Sequence, residues 1–159
     1  MVDMNEPEID FVIPWVDGND PEWLAEKAKY DAYAGVEAEI NVEARYRDWG
    51  LMKYWFRGVE KFTPWVRKIH FLTWGHLPTF LDVDHPKIHV VKHQDFIPED
   101  CLPIYNSSAI EVVLNRIPDL EEHFVYFNDD MFITKNMKKK DFFIDGLPCG
   151  YFEDNPFFA

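Results

Sequence analysis

Short apolar runs alternate with amphipathic segments along this chain. The runs are rich in β-branched and aromatic residues and have the length of buried strands. Strands are therefore predicted at residues 9–16, 66–74, 87–91 and 123–128, with a return strand in the segment MFIT at 131–134. Helices are predicted at residues 21–34, 50–62 and 108–117.

Capping residues set the predicted helix boundaries. Asp20 precedes a proline and is predicted to cap the first helix, which Gly35 ends. Asp48 is predicted to cap the second helix. Ser108 and Glu111 have the spacing of a capping box, so Ser108 is predicted to begin the third.

Strands that alternate with helices predict an α/β fold, a layered domain with a mostly parallel sheet and flanking helices. One such domain accounts for residues 1–159. In sheets of this kind, ligands bind beyond the carboxyl ends of the strands. Two acidic turns, at residues 17–20 and 128–130, follow predicted strands directly and are therefore expected at that edge.

Composition narrows the function classes. The chain has 159 residues, 47% of them hydrophobic, which is enough apolar material for a core. Its formal net charge of −13 argues against nucleic-acid binding. The acidic N-terminus does not look like a signal peptide, and no apolar run is long enough to span a bilayer. Together with two widely spaced cysteines, read as free thiols, these features predict a cytoplasmic domain.

The turn formed by Asn128, Asp129 and Asp130 is the first candidate for chemistry. Carboxylates at a strand end can hold Mg²⁺ or Mn²⁺ against a diphosphate. Asn and Asp also favour turns, so a simple hairpin turn is an equal alternative. In the other acidic turn, Asp17 could bind a ribose, a base or the metal, although a structural turn is the favoured interpretation there.

Basic residues and one histidine complete the candidates. Arg47 precedes a predicted helix N-terminus and is suited to bind phosphate, unless it only pairs with surface acids. Arg116 is either a phosphate ligand or a charge at a helix end. His93 and Asp95 follow a strand and could form an acid–base pair, but structural polar roles are favoured for both.

Taken together, the motifs resemble those of the Stealth family. The segment IDFVIPWVDGNDPEW is similar to that family's first conserved region, at residues 9–24. The segment that begins RYRDWGLMKYWFRGVEKFTPWVRKI is similar to the second, at residues 45–147. The resemblance implies a nucleotide-sugar-transferase-like α/β core. It also implies transfer of a sugar-1-phosphate from a nucleotide diphosphate sugar, UDP-linked by preference, to a sugar hydroxyl during capsular or exopolysaccharide synthesis.

The resemblance also assigns roles by position. The resemblance and the chemistry of the residues together predict five catalytic residues: Asp129, Asp130, Arg47, Arg116 and His93. The substrate-binding residues are predicted to be Asp17, Gly18, Asp20, Asp48, Asn106, Glu111 and Asn128. A required Mg²⁺ or Mn²⁺ is predicted on Asp130, Asp129 and Asp17. The expected location is the cytoplasm, including the inner face of the membrane.

The chain departs from the family pattern in two places. The usual T-[ND]-[GN]-Q reads Thr73-Trp74-Gly75-His76. The family's third and fourth conserved regions do not follow, so we expect an incomplete catalytic core. The alternatives are therefore a silent nucleotide-sugar-binding fragment and a conventional glycosyltransferase. The aromatic segment 151–159 predicts self-association.

Overall fold

The computed structural model describes residues 7–34, 46 and 49–150. Its main sheet has four strands: β1 (Asp10–Trp15), β2 (Ile69–Thr73), β3 (Ile88–Lys92) and β4 (Phe124–Tyr126). They lie in the order β3-β2-β1-β4, and every pairing is parallel. The predicted α/β class and mostly parallel sheet are confirmed.

Register brings the carboxyl ends of the strands to one edge. Trp15 at the end of β1 pairs with Thr73 at the end of β2, which in turn pairs with Lys92 at the end of β3. β4 ends earlier, because Tyr126 pairs with Val12 in the middle of β1. The segment after β4 therefore has room to fold over this edge, and this is where the candidate residues lie.

The helices are α1 (Pro21–Ala34), α2 (Met52–Phe62), α3 (His93–Phe96) and α4 (Ser107–Glu111). Short 3₁₀ helices lie at Glu99–Cys101, Leu114–Arg116 and Lys139–Asp141, and a two-stranded antiparallel sheet joins β5 (Phe143–Ile144) to β6 (Leu147–Pro148). Among the described residues, no helix combines the length and apolarity needed to cross a membrane.

Apolar side chains on the two faces of the sheet form separate cores. Phe11, Ile13 and other residues of one face pack with Trp55 and Val59 of α2. On the opposite face, Val12 packs with residues of α3, α4 and the 3₁₀ helix after α4. Alternate residues of β1 therefore belong to different cores, as expected for a sheet covered on both faces.

The boundaries of α1 follow the local prediction. The carboxylate of Asp20 accepts hydrogen bonds from the backbone N–H groups of Glu22 and Trp23, at 2.9 and 2.8 Å. Asp20 therefore caps α1, as predicted. Gly35, the predicted end of this helix, lies outside the described residues.

The other two helix starts differ from the prediction. The residue at the start of α2 is Leu51, which makes no side-chain cap bond, and Asp48 lies outside the described residues. In α4 the cap is Asn106, whose side chain accepts from the backbone N–H of Ser108 at 3.0 Å. The prediction that Ser108 caps this helix is wrong. Asn and Ser are both favoured at helix N-caps, so the residue types alone do not choose between these two positions.

Candidate active site

A cavity of about 360 Å³ lies at the carboxyl ends of β1, β2 and β4. We call it the strand-end cavity. Its walls combine aromatic side chains with the acidic turn after β4, and α3 contributes His93. The lining includes Trp15, Trp23, Tyr46, Trp74, His93, Tyr105, Tyr126, Asn128, Asp129 and Asp130.

The acidic turn after β4 lines this cavity, as its position after a strand predicts. Asn128, Asp129 and Asp130 are all exposed. The Met131 N–H donates to the carbonyl of Asn128 at 3.0 Å, which closes a turn. However, residues 131–134 form no strand. The structure therefore contains the predicted turn but not the return strand that would make it a hairpin.

Glu111 reaches the site through Tyr126. Burial, followed by the nearby carboxylate of Glu111 and a hydrogen bond to it, raises the pKa of the Tyr126 phenol. The charge of Asp129 acts in the same direction. The phenol therefore stays protonated at neutral pH and links α4 to the end of β4.

Aromatic residues that the sequence analysis passed over form much of the cavity wall. Trp23 of α1 packs edge-on against Tyr46 and Tyr105, with ring centroids 5.1 and 5.8 Å apart. Lys27 Nζ lies 5.1 Å from the Tyr46 ring centroid and forms an ion pair with Asp31 at 2.7 Å. This wall joins residues far apart in sequence, so periodicity did not reveal it.

Tyr105 carries an unsatisfied polar atom at the cavity. Its hydroxyl is buried and has no hydrogen-bond partner among the described residues. Burial, with the nearby charges of Glu26 and Asp31 adding to it, raises its pKa to about 12. A buried hydroxyl without a partner is unfavourable, so a ligand that supplied one would gain from it.

His93 lines the cavity, but its predicted partner does not act on it. The Asp95 carboxylate accepts from the backbone N–H of Lys92 at 2.7 Å and so caps α3. Burial, with a smaller contribution from His76, lowers the pKa of His93 to about 4. His93 is therefore a neutral imidazole at pH 7. It is suited to hydrogen bonding and poorly suited to be a general base.

Asp17, Gly18 and Asp20 form the turn between β1 and α1, beside the cavity and not in its lining. Asp17 accepts from the Asn19 N–H at 2.9 Å, which makes a local turn. At Gly18, a Cβ atom would lie 2.0 Å from the carbonyl oxygen of Tyr46. Only glycine lets the two segments approach so closely.

Comparison with known proteins identifies the family of this chain. The model described as Stealth protein CR1, conserved region 1, matches residues 7–34, and Stealth protein CR2, conserved region 2, matches residues 45–148. The chain belongs to the Stealth family. Conserved region 1 of the Stealth protein thus comprises β1, the acidic turn and α1, and the contact between Gly18 and Tyr46 joins it to conserved region 2.

Individual relatives are similar over most of this Stealth chain. The capsular polysaccharide phosphotransferase WcwK of Streptococcus pneumoniae is 49% identical over 144 residues, which are 91% of this chain and 43% of the relative. The receptor polysaccharide phosphotransferase WefC of Streptococcus gordonii is 50% identical over 143 residues, 89% of this chain and 43% of the relative. CpsJ of Streptococcus thermophilus, also named a capsular polysaccharide phosphotransferase, is 48% identical over 88% of this chain and 59% of the relative. The chain therefore spans less than two thirds of the length of these relatives.

Of the remaining predicted residues of the Stealth chain, the two that the structure describes, Asn106 and Arg116, do not line the cavity. Asn106 is exposed and caps α4, and its neighbour Ser107 lines the cavity instead. Arg116 is exposed in the 3₁₀ helix after α4. Arg47 and Asp48 lie outside the described residues. The ligand-binding roles of all four stay predictions.

The predicted metal set is only partly assembled. Within residues 7–34, 46 and 49–150, no group of three or more His, Cys, Asp or Glu side chains is placed to hold a metal ion. Asp17 is separate from the cavity lining, which contains Asp129 and Asp130. Mg²⁺ beside phosphates uses one or two carboxylates, with phosphate oxygens and waters as further ligands. The donor chemistry of Asp129 and Asp130 suits that smaller set.

Proposed function

We propose that this chain takes part in transferring a sugar-1-phosphate from a nucleotide diphosphate sugar to a sugar hydroxyl, in capsular or exopolysaccharide synthesis. The strand-end cavity is the observation that carries the proposal, because it joins aromatic walls to an acidic turn. Membership of the Stealth family supports it, as do relatives named polysaccharide phosphotransferases. Within this scheme, the chain supplies the donor-binding core.

The aromatic walls suit the base and sugar of the donor, with a UDP-sugar as the first candidate. Rings such as Trp74 and Tyr105 offer flat apolar surfaces for stacking. Tyr105 and His93 add polar side chains to the lining, and the buried Tyr105 hydroxyl and His93 Nδ1 have no hydrogen-bond partner among the described residues. A cavity that combines aromatic walls with several polar groups is suited to a small molecule that has both a ring and charged or hydroxyl groups.

The charge of the cavity requires a cation beside a diphosphate. Its described lining contains the carboxylates of Asp129 and Asp130 and neither lysine nor arginine. An anionic diphosphate would therefore be repelled there without a counter-charge. We propose that Asp129 and Asp130 hold Mg²⁺ or Mn²⁺, which when bound neutralises the diphosphate and the departing monophosphate. Arg47, which directly follows the cavity residue Tyr46 in sequence, is proposed to add positive charge.

In the proposed reaction, the acceptor hydroxyl oxygen forms a bond to the phosphorus that carries the sugar. The bond from this phosphorus to the bridging oxygen breaks, and a nucleoside monophosphate leaves. Asp129 takes the hydroxyl proton. Because the pKa of His93 is about 4, we assign it to donor contact and not to proton transfer. Arg116 stays a proposed phosphoryl ligand that a rearrangement would have to bring to the site.

Calorimetric titration with UDP-N-acetylglucosamine tests donor binding, with and without Mg²⁺ and with UDP as a parallel ligand. We expect binding that Mg²⁺ strengthens at least about ten-fold. Asp129→Asn with Asp130→Asn should remove the effect of Mg²⁺. Glu122→Gln, a change of one exposed carboxylate outside the cavity lining, should retain it. Equal binding with and without Mg²⁺ would contradict the proposed metal role.

Product analysis separates the proposed reaction from its alternatives. A sugar-1-phosphate transferase releases UMP from a UDP-sugar, whereas a conventional glycosyltransferase releases UDP. Donor binding without turnover in the presence of saccharide acceptors would favour a silent nucleotide-sugar-binding chain. The predictions of a cytoplasmic location at the inner membrane face and of self-association stay open, and the second rests on residues 151–159, outside the described part.

A further inference from the structure

His76 lies between the two acidic residues of the turn that follows β1. The backbone N–H of Asp17 donates to His76 Nε2 at 2.9 Å, across 59 positions of sequence. On the other side of the ring, the buried His76 Nδ1 lies 3.5 Å from Asp20 Oδ2, and it makes no hydrogen bond to a described residue. The imidazole therefore spans the turn from its first residue to the cap of α1.

The direction of the first hydrogen bond shows which ring nitrogen of His76 carries the proton. Because the Asp17 N–H is a donor, Nε2 must accept and cannot carry a proton. The neutral ring then has its proton on Nδ1, the atom that faces the Asp20 carboxylate. His76 thus accepts at one end and presents a donor at the other, and this combination matches both ends of the turn.

The same ring contacts the wall of the strand-end cavity. The His76 ring packs edge-on against Trp15, with centroids 5.3 Å apart, and lies 5.7 Å from the Trp74 ring. Both tryptophans line the cavity, and so does Val16, the residue before Asp17. His76 thus connects the cavity wall to the turn of the first conserved region.

We propose that His76 is a positioning residue, which holds the Asp17–Asp20 turn against the cavity wall by accepting at Nε2 and donating toward Asp20 from Nδ1. Its effect on ligand binding rests on the proposed function, whereas its hydrogen bond from Asp17 and its approach to Asp20 do not. A residue that served only as packing would need neither the acceptor nor the donor. The proposal predicts that glutamine can replace His76, because its amide offers one oxygen acceptor and one N–H donor.

Nuclear magnetic resonance tests the hydrogen bonds directly. Long-range ¹H–¹⁵N correlation of the imidazole should give the Nδ1–H tautomer of His76 at neutral pH. The Asp17 amide should be protected from hydrogen exchange in the wild type and in His76→Gln, and should exchange at least about ten-fold faster in His76→Leu. The Nε2–H tautomer, or equal exchange in His76→Leu and the wild type, would overturn the proposal.

Ligand titration then tests the consequence for the site. With UDP-N-acetylglucosamine and Mg²⁺, we expect His76→Leu to weaken binding about ten-fold and His76→Gln to stay within about three-fold of the wild type. His85→Leu makes the same change at an exposed histidine outside the cavity lining and should bind normally. Wild-type chain that binds no donor would count against the proposed function and leave the exchange data to judge His76. Equal weakening by leucine and glutamine would refute the positioning role.

Discussion

Replacing Asp10 by asparagine is expected to lower the free energy of unfolding by about 3 kcal/mol at neutral pH. Asp10 begins β1 and is fully buried. Its Oδ1 accepts from Arg67 Nε at 2.9 Å and from the Lys68 N–H at 3.1 Å. Its Oδ2 accepts from Arg67 Nη2 at 2.6 Å, His70 Nε2 at 2.9 Å and the Glu121 N–H at 3.0 Å. An asparagine amide would present a donor where donors already converge.

The pKa of Asp10 gives the size of the expected loss of stability. Burial alone would raise it, but hydrogen bonds from His70 and Arg67 and from the Glu121 backbone outweigh burial and lower the pKa from 3.8 to about 2. A difference of this size corresponds to about 2.5 kcal/mol of stability. Since the folded-state value is the lower one, this stability is present above about pH 4 and is lost as the pH falls to about 2.

Urea unfolding of the wild type and Asp10→Asn at about pH 7 and about pH 2 is the assay. The difference in unfolding free energy between the two proteins should be about 3 kcal/mol at the higher pH. It should be less than about 1 kcal/mol at the lower, where about half of Asp10 is protonated in the folded state and nearly all of it in the unfolded state. Comparing the two proteins cancels the titration of the other carboxylates.

Asp119→Asn is the matched control for the Asp10 variant. Asp119 also contacts Lys68 and Arg67, but its side chain is 55% exposed, so solvent screens its charge. We expect a much smaller effect than at Asp10. Equal losses in the two variants, or a difference at Asp10 that does not depend on pH, would refute the argument that burial and convergent donors decide the magnitude.

Three further predictions concern the strand-end cavity. Gly18→Ala should cost about 1–3 kcal/mol of unfolding free energy, because its Cβ would meet the Tyr46 carbonyl. Gly150→Ala should be neutral in the same urea titration, because its Cβ would have no described atom within 4 Å beyond its chain neighbours. Tyr105→Phe should raise the unfolding free energy by about 1 kcal/mol, since it removes a buried hydroxyl that has no partner among the described residues, and a loss of stability would show that the hydroxyl has a partner. His93→Gln should leave the pH dependence of calorimetric donor binding between about pH 5.5 and 7.5 unchanged, because the wild-type pKa is about 4, and an altered dependence would contradict this.

Local sequence patterns predicted the strands and α1 well. Buried strands of a parallel sheet give short apolar runs, and β1 and β3 coincide with such runs to within one or two residues. The prediction of a strand at residues 131–134 is wrong. Its residues meet the pattern for pairing, but Ile133 instead presents its carbonyl to α2, where a Cβ on Gly58 would lie 2.8 Å from that oxygen. This segment therefore packs closely against α2 and is not paired as a strand.

The candidate site was predictable only where it follows from strand ends. Asn128, Asp129 and Asp130 follow β4 after a single residue, Phe127, so a parallel sheet was enough to place them. The roles of Tyr105 and His76 depend on contacts with α1 and with the turn after β1, at separations of tens of residues. Neither has a spacing that predicts such contacts, and only the departure of His76 from the family pattern marked it beforehand.

Buried polar groups are hydrogen-bonded at one end of the sheet and lack partners at the other. This difference helps to distinguish structural residues of the Stealth motifs from candidate functional ones. At the amino end, the carboxylate of Asp10 meets five donors, so no capacity is left for a ligand. At the carboxyl end, the Tyr105 hydroxyl and His93 Nδ1 are buried without partners among the described residues, at the wall of a cavity. Unsatisfied groups cost stability wherever they are buried, and such groups are expected where a ligand completes them. We therefore assign Asp10 of the first conserved region to the fold, whereas ligand binding by the residues around the strand-end cavity stays a proposal.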